Sequence, residues 1–413
     1  MKVYVESHGC SMNYGEGQLI KGRLSNAGFG TSVSPEEADV IILNTCGVIS
    51  HTENSMHRRI QQFASTGKRV IVTGCLATPE TASSLSSSSE IAIMPPGDMN
   101  ALDAFLGLNL QRDMDCWNQV EENTLIVPIS SGCLSACTYC FSRIARGRVK
   151  SVRPQRIVEM IRLNTSGEEI REVLISSMDT IAYGRDIGTT LPDLLRSICE
   201  LDTDFKLRVG MMNPSLLPPL LDDLLEVFED GRIFKFFHLP VQSGSDAVLK
   251  RMRRGYTVDQ YISLVREVRN AFPDMTFSTD VITGFPGESE EDFEETLALL
   301  ENVKPDIVNV TRFSSRPGTR AASMPEQIAG WISKERSRKV SALRFRISAE
   351  KNAAYVGNTY RALTTENGKD NSTLARIDNY RQVVLDSRYP LGRYVTCRIT
   401  GSTPIHLTGK VQL

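Results

Sequence analysis

The run Leu125-Ile126-Val127-Pro128-Ile129-Ser130-Ser131-Gly132-Cys133-Leu134-Ser135-Ala136-Cys137-Thr138-Tyr139-Cys140 joins an apolar strand candidate, Leu125–Ile129, to three cysteines spaced C-x3-C-x2-C. Three thiolates on one short loop can bind three irons of a cubane cluster and leave the fourth iron without a protein ligand. The amino and carboxylate groups of S-adenosylmethionine (SAM) can occupy that open position. Electron transfer to the sulfonium then yields a 5′-deoxyadenosyl radical, chemistry that belongs to the cofactor and is positioned by the protein. Zinc is the competing metal, and it wants a fourth ligand. No further cysteine lies beside the loop, and none of the histidines His8, His51, His57, His238 and His406 is near it in sequence.

Downstream of the loop the chain alternates strand-like and helical runs. Strand candidates are Leu125–Ile129, Glu172–Ser176, Lys206–Met211, Ile233–Pro240, Thr276–Ile282 and Asp306–Thr311. Between them Pro154–Leu163, Leu191–Leu201, Leu216–Phe228, Val258–Ala271 and Glu290–Glu301 have helical spacing. This rhythm predicts a parallel partial barrel on the rules of the (βα)8 fold, with active residues after the carboxyl ends of the strands.

Upstream, Lys2–Ser7, Ala38–Thr45, Arg69–Thr73 and Ile91–Pro95 alternate with the helical runs Tyr14–Ala27 and Glu53–Ser65. The pattern predicts a small parallel sheet. Cys10, Cys46 and Cys75 each follow a strand candidate and each has a glycine neighbour: Gly9, Gly47 and Gly74. The carboxyl ends of parallel strands share one edge, where ligands collect. Either these cysteines meet there in a common site, or they are three separate buried thiols.

Residues 325–352 read as a long charged helix. The runs Thr359–Thr364, Arg376–Ile377, Gln382–Leu385, Tyr394–Thr400 and Lys410–Leu413 then predict a small antiparallel barrel. From Tyr355 onward, Arg361, Lys369, Arg376, Arg381, Arg388, Arg393, Arg398 and Lys410 face only Glu366, Asp370, Asp378 and Asp386, a local +4 in a 413-residue chain of net charge −2. Tyr360, Tyr380, Tyr389 and Tyr394 are interleaved, as base-stacking surfaces would be. Two further basic runs, Arg143/Arg146/Arg148/Lys150/Arg153 and Lys250/Arg251/Arg253/Arg254, are read as phosphate contacts. The linker-like 111–124 and the serine-rich Ser83–Ser89 are read as irregular. No apolar run is long enough to span a bilayer, and the amino terminus lacks a signal-peptide core. The expected compartment is the cytoplasm, with neither membrane nor DNA as partner. Nine cysteines, an odd number, favour metal or catalytic use over a disulfide framework.

The chain resembles the radical-SAM methylthiotransferases, which insert a methylthio group into tRNA or a ribosomal protein. The resemblance covers essentially the whole chain. It is carried by Asn44-Thr45-Cys46, Thr73-Gly74-Cys75, the cysteine loop, His238-Leu239-Pro240-Val241-Gln242-Ser243-Gly244-Ser245, Asp280-Val281-Ile282-Thr283-Gly284-Phe285-Pro286-Gly287-Glu288 and Arg316-Pro317-Gly318-Thr319. Ile144-Ala145-Arg146-Gly147, Ala182-Tyr183-Gly184-Arg185-Asp186-Ile187-Gly188 and Arg208-Val209-Gly210-Met211-Met212-Asn213-Pro214 are similar to the archaeal and eukaryotic branch, which acts on N6-threonylcarbamoyladenosine at position 37 of tRNA.

The resemblance implies three domains: 1–115 with an auxiliary cluster, 119–350 as the radical-SAM barrel, and 351–413 as a TRAM RNA-binding barrel. It implies two 4Fe–4S clusters, one on Cys133, Cys137 and Cys140 and one on Cys10, Cys46 and Cys75. A second SAM is the implied methyl donor. SAM contacts are expected from Tyr139, Ser177, Asp179, Gln242, Ser243 and Asp280; Met178 departs from the charged or amide residue usual in relatives. The implied partners are a tRNA anticodon loop and an electron-donor protein. Cys116, Cys199 and Cys397 match no ligand position and are read as structural thiols; His8 is read as a local hydrogen-bonding residue. The rival readings are a methylthiotransferase for isopentenyladenosine tRNA or a ribosomal-protein aspartate, and a non-catalytic RNA-binding protein with structural zinc.

Overall fold

The computed structural model describes residues 1–48, 50–78, 91–107, 123–167 and 170–412. Ser83–Ser89, Cys116 and most of 111–124 lie outside the described residues.

The first unit runs β1 (Lys2–Ser7), α1 (Ser11–Asn26), β2 (Gly30–Thr31), β3 (Val40–Thr45), α2 (Ser50–Ala64), β4 (Arg69–Gly74), β5 (Ile91–Ile93) and α3 (Met99–Leu106). The strands pair in parallel in the order β2-β1-β3-β4-β5. Every residue of β3 is buried, as a central parallel strand covered on both faces requires. Alternate residues feed two cores: Val40, Ile42 and Ile71 meet Ile20 and Leu24, whereas Ile41, Leu43, Val70 and Val72 meet Ile60 and Phe63. The sequence reading overlooked the two-residue edge strand β2, too short to show a period, and α3. A capping signal marks α3, because Asp98 accepts from the Ala101 N–H at 3.0 Å and Gly107 closes the helix in a left-handed conformation.

The second unit contains β6 (Thr124–Pro128), β7 (Ser130–Ser131), α4 (Phe141–Arg146), β8 (Lys150–Ser151), α5 (Pro154–Thr165), β9 (Glu172–Ser176), α6 (Leu191–Cys199), β10 (Lys206–Val209), α7 (Leu221–Phe228), β11 (Phe236–His238), α8 (Asp246–Met252), α9 (Val258–Ala271), β12 (Thr276–Thr283), α10 (Glu290–Val303) and β13 (Ile307–Arg312). Two parallel ladders, β6-β9-β10 and β11-β12-β13, are stitched by a bridge between Leu207 and Ile233. The result is an open six-strand partial barrel of parallel βα units, and reciprocal capping boxes at Thr190/Asp193, Thr257/Gln260 and Ser289/Asp292 start three of its helices. The strand expected over Ile233–Pro240 shortens to Phe236–His238, since Ile233 and Phe234 turn to pair with β10.

The partial barrel leaves β6 as an edge, and α1 of the first unit covers it. Gln18 donates to the Thr124 carbonyl at 3.1 Å and accepts from the Ile126 N–H at 2.9 Å. This satisfies the backbone groups of an otherwise exposed strand. Gly15 lets the helix approach, because a Cβ there would meet Pro128 Cγ at 2.8 Å. Helix α1 therefore buries polar residues on the face it turns to the second unit, Asn13, Glu16 and Gln18, while buried Arg23 pairs with Asp103 of α3.

Helix α11 (Gly330–Ala353) then crosses to a closed barrel of β14 (Thr359–Asn367), β15 (Thr373–Ile377), β16 (Gln382–Leu385), β17 (Tyr394–Ser402) and β18 (Leu407–Val411), ordered β14-β15-β16-β18-β17. Four of its ladders are antiparallel and one parallel pair, β16 with β18, closes it. Cys397 lies in its core with Ala375, Val383 and Leu407.

Replacing Gln18 with Ala strands the Thr124 carbonyl and the Ile126 N–H at a dry seam. Urea denaturation should show a loss of about 1–3 kcal/mol; an unchanged midpoint would contradict this role for α1.

Candidate metal and cofactor site

The three thiols of the first unit occur where parallel-strand geometry puts them. Cys10 begins α1 just past β1, Cys46 directly follows β3, and Cys75 directly follows β4. Neighbouring strands bring these ends together, and the three sulfurs act electrostatically on one another. The glycines are required by the crowding. Gly9, at φ 111°, would place a Cβ 2.8 Å from that of Cys46; Gly74, at φ 84°, would place one 2.4 Å from the Thr45 carbonyl oxygen. Asn13 ties the edge together by donating to the carbonyls of His8 and Thr45 at 2.7 and 2.9 Å. His8 itself bonds Glu6 at 2.6 Å.

The second trio sits on the loop between β7 and α4. Gly132 has φ 76° and packs against the Arg148 carbonyl. Cys133 Sγ accepts from the Ser135 N–H at 3.3 Å, and Arg143 braces the loop through the Ser135 carbonyl at 3.2 Å. Arg254 Nη1 donates to Cys137 Sγ at 3.2 Å. Burial pushes the thiols of Cys46, Cys75 and Cys133 up and that of Cys140 to about 12. Such thiols lose their protons to a metal rather than to water at neutral pH.

Among the described residues no three His, Cys, Asp or Glu side chains close on one point as the ligands of a single ion would. A cubane spreads its thiolates over separate irons, and each trio supplies three sulfurs and no fourth ligand, so the donor sets fit such a cluster.

The two trios face each other. The loop after Cys46 touches the second cysteine loop: a Cβ at Gly47 would lie 3.1 Å from Phe141 Cε1. A cavity of about 210 Å³ opens there, lined by Val48, Tyr139, Cys140, Gln242, Asp280 and Arg312 among others. Tyr139 is packed edge-on against Phe285 at 6.3 Å. Asp280 is pushed up by burial, but hydrogen bonds from His238 at 2.8 Å and Asn309 at 2.8 Å hold it below the usual carboxylate range. Gln242 has φ 76° and exchanges backbone hydrogen bonds with β12 at 2.8 and 2.9 Å.

At the end of β9, Ser177 bonds Ser130 at 3.0 Å and accepts from the Asp179 N–H at 2.9 Å. Asp179 accepts from the Asn213 N–H at 3.0 Å through Oδ1, while its buried Oδ2 has no partner. Burial pushes Asp179 up to about 6.

Several sequence expectations need correction. Ser243 is fully buried, with its hydroxyl engaged by Thr296 and the Ser245 N–H, so its side chain braces a turn instead of facing the cavity. Arg146 and Arg254 are buried in bonded networks and are unavailable to phosphate, whereas Arg251 is partly exposed and bonds the Gly287 carbonyl and Asp292. Arg148, Lys150, Arg153, Lys250 and Arg253 remain exposed. In the carboxy-terminal barrel, Tyr380 is packed against Phe234 and Phe236 at 4.9 and 5.2 Å, and Arg381 is paired with Asp306. Both therefore serve the junction with the larger barrel, whereas Arg361, Lys369, Arg388, Arg393, Arg398 and Lys410 stay exposed.

The sequence reading missed residues that only the interface reveals. Glu53 pairs with Arg316, whose guanidinium lies over the Phe141 ring at 4.8 Å. Glu16 pairs with Arg146. Neither acid stands in a motif, so no local signal announces them.

Residues 127–300 match the model of the Radical SAM superfamily, 2–94 that of the uncharacterized protein family UPF0004, and 353–411 that of the TRAM domain. The chain is 38% identical to a "Probable threonylcarbamoyladenosine tRNA methylthiotransferase" of Pyrococcus abyssi, covering 100% of this chain and 99% of that protein. A relative of the same name from Archaeoglobus fulgidus is 39% identical, with the same coverage. The threonylcarbamoyladenosine tRNA methylthiotransferase of Drosophila melanogaster is 33% identical over 99% of this chain and 77% of its own length. In fold, the chain is similar to a radical S-adenosylmethionine methyltransferase from Kitasatospora setae, with a TM-score of 0.57 at 13% identity, covering 78% of this chain and 76% of that one. No helix among the described residues is long and apolar enough to cross a membrane.

In metal-free protein at pH 7.5, iodoacetamide should alkylate exposed Cys10 at least about tenfold faster than buried Cys75. Peptide mass mapping reads the order; equal rates would contradict the burial described.

Proposed function

The chain belongs to the threonylcarbamoyladenosine tRNA methylthiotransferase family, and we propose that it performs the reaction of that family. In that reaction C2 of N6-threonylcarbamoyladenosine at position 37 of tRNA receives a methylthio group. The observation that carries the reading is the contact between the loops that bear the two cysteine trios, Gly47 against Phe141, beside a cavity lined by Val48 and Cys140. A single radical-generating site would need only the second trio.

Membership of the radical SAM superfamily brings SAM and a 4Fe–4S cluster. We assign that cluster to Cys133, Cys137 and Cys140, and a second one to Cys10, Cys46 and Cys75. When bound by Cys133, Cys137 and Cys140, such a cluster would supply the electron that cleaves SAM to methionine and the 5′-deoxyadenosyl radical.

The remaining work falls to the chain. Asp179 offers its unpartnered Oδ2 to the amino group of SAM, with Ser177 and Asn213 fixing its orientation. Tyr139, Gln242 and Asp280 line the cavity in which SAM and the nucleoside meet; the Gln242 backbone is held by β12 and the Asp280 carboxylate by His238. In the family's reaction a second SAM is the methyl donor.

We divide the chain into 1–115, 119–350 and 351–413, in line with the three matched models. The exposed basic residues after β7 and in the carboxy-terminal barrel would hold the anticodon loop by its phosphates. A protein that donates single electrons is the other partner required, and the cytoplasm is the compartment where such a tRNA enzyme works. The readings as an isopentenyladenosine or ribosomal-protein enzyme, or as a zinc-bearing RNA-binding protein, are not favoured by the relatives.

Anaerobically prepared protein should contain about eight irons, with matching sulfide; zinc alone would sink the enzyme reading. Cys46→Ala should abolish methylthiolation yet leave reductive SAM cleavage measurable. Loss of cleavage as well would show that the two trios are not functionally separate.

A further inference from the structure

One buried cation at the seam between the two trios has no part in the chemistry above. Arg146 ends α4, the helix that starts at Cys140, and its side chain is 1% exposed. Its guanidinium does not turn back toward its own cysteine loop. It crosses to the first unit, where it forms a bidentate pair with Glu16, with Nη2 to Oε2 at 2.8 Å, and donates from Nη2 to Asn13 Oδ1 at 2.8 Å. Asn13 is the residue that gathers the loops carrying Cys10 and Cys46. The guanidinium thus stands beside the first trio, close enough to act electrostatically on the Cys75 thiol.

A guanidinium has five N–H donors in a fixed fork. Glu16 and Asn13 engage that fork and lock its plane. Removing a charged arginine from water is costly, and one carboxylate repays that cost only with good geometry and further hydrogen bonds. Here those further bonds lead to the first cysteine trio, although the arginine belongs to the second unit.

We propose that Arg146 completes the amino-terminal cysteine site from outside its own domain, holding its positive charge beside the trio through Asn13 and raising the reduction potential of the cluster held there. The proposal rests on the assignment of Cys10, Cys46 and Cys75 as cluster ligands. A nearby positive charge stabilises the reduced, more negative cluster. Glu16 acts in the opposite sense: its carboxylate opposes added negative charge while aiming the guanidinium. Docking of the barrel thus sets the electronic state of the neighbouring site. Arg146 is a positioning residue, since it touches neither SAM nor nucleoside.

The test uses the full chain with Cys133, Cys137 and Cys140 replaced by Ala, so that any cluster signal comes from the first trio. This background should retain about four irons. Absence of iron would refute the ligand assignment itself, and the proposal with it. With iron present, potentiometric EPR should give a midpoint shifted downward in Arg146→Gln and upward in Glu16→Gln, with Arg146→Lys between wild type and Arg146→Gln. A purely structural ion pair would make the Gln variants behave alike, because each breaks the same pair. Shifts of one sign, or none, with iron retained would overturn the proposal and leave the cluster assignment standing. Should Arg146→Gln fail to fold, the direction of the Glu16→Gln shift decides alone.

Discussion

The architecture depends on one seam, the packing of α1 against the edge strand β6. An open parallel barrel has an unpaired first strand, and an unpaired strand in a soluble core must be covered. Helix α1 does this with the two-way hydrogen bonding of Gln18 and the close approach at Gly15. Because α1 begins at Cys10, covering the barrel edge also orients the sheet edge that carries Cys10, Cys46 and Cys75 toward the loop of Cys133, Cys137 and Cys140. The two candidate metal sites therefore face each other as a consequence of edge protection.

Buried ion pairs reinforce this placement. Arg146 with Glu16 and Arg316 with Glu53 each join a residue of the barrel to one of the first unit. Neither pair is a strong source of net stability, since desolvation offsets most of the attraction. What they supply is register: a guanidinium fork accepts its carboxylate in few orientations. Between them Phe141 fills the space that glycine at position 47 leaves open. These contacts hold the two cysteine-bearing loops against each other.

Much of this was legible in the residues. Period and apolar content identified β1, β9, β16 and α9 to the residue, and the cysteine positions followed from strand ends alone. The reading failed where a residue serves two units. Helix α1 carries polar residues on a buried face because that face meets another domain, so its pattern looks solvated. Arg146, Arg254, Arg381 and Tyr380 resemble an RNA-binding surface in one dimension, yet each is consumed by a packing interface. Ser243 stands in a ligand-like motif but turns inward to Thr296. Such partners lie far away in sequence: Glu16 is 130 residues from Arg146. No local pattern can encode that separation.

The most direct measurement is mass spectrometry of tRNA nucleosides from cells with and without this protein. Loss of the methylthio form of threonylcarbamoyladenosine, with accumulation of the unthiolated nucleoside, is the predicted result. An unchanged level of the methylthio form would contradict the assignment of substrate and reaction.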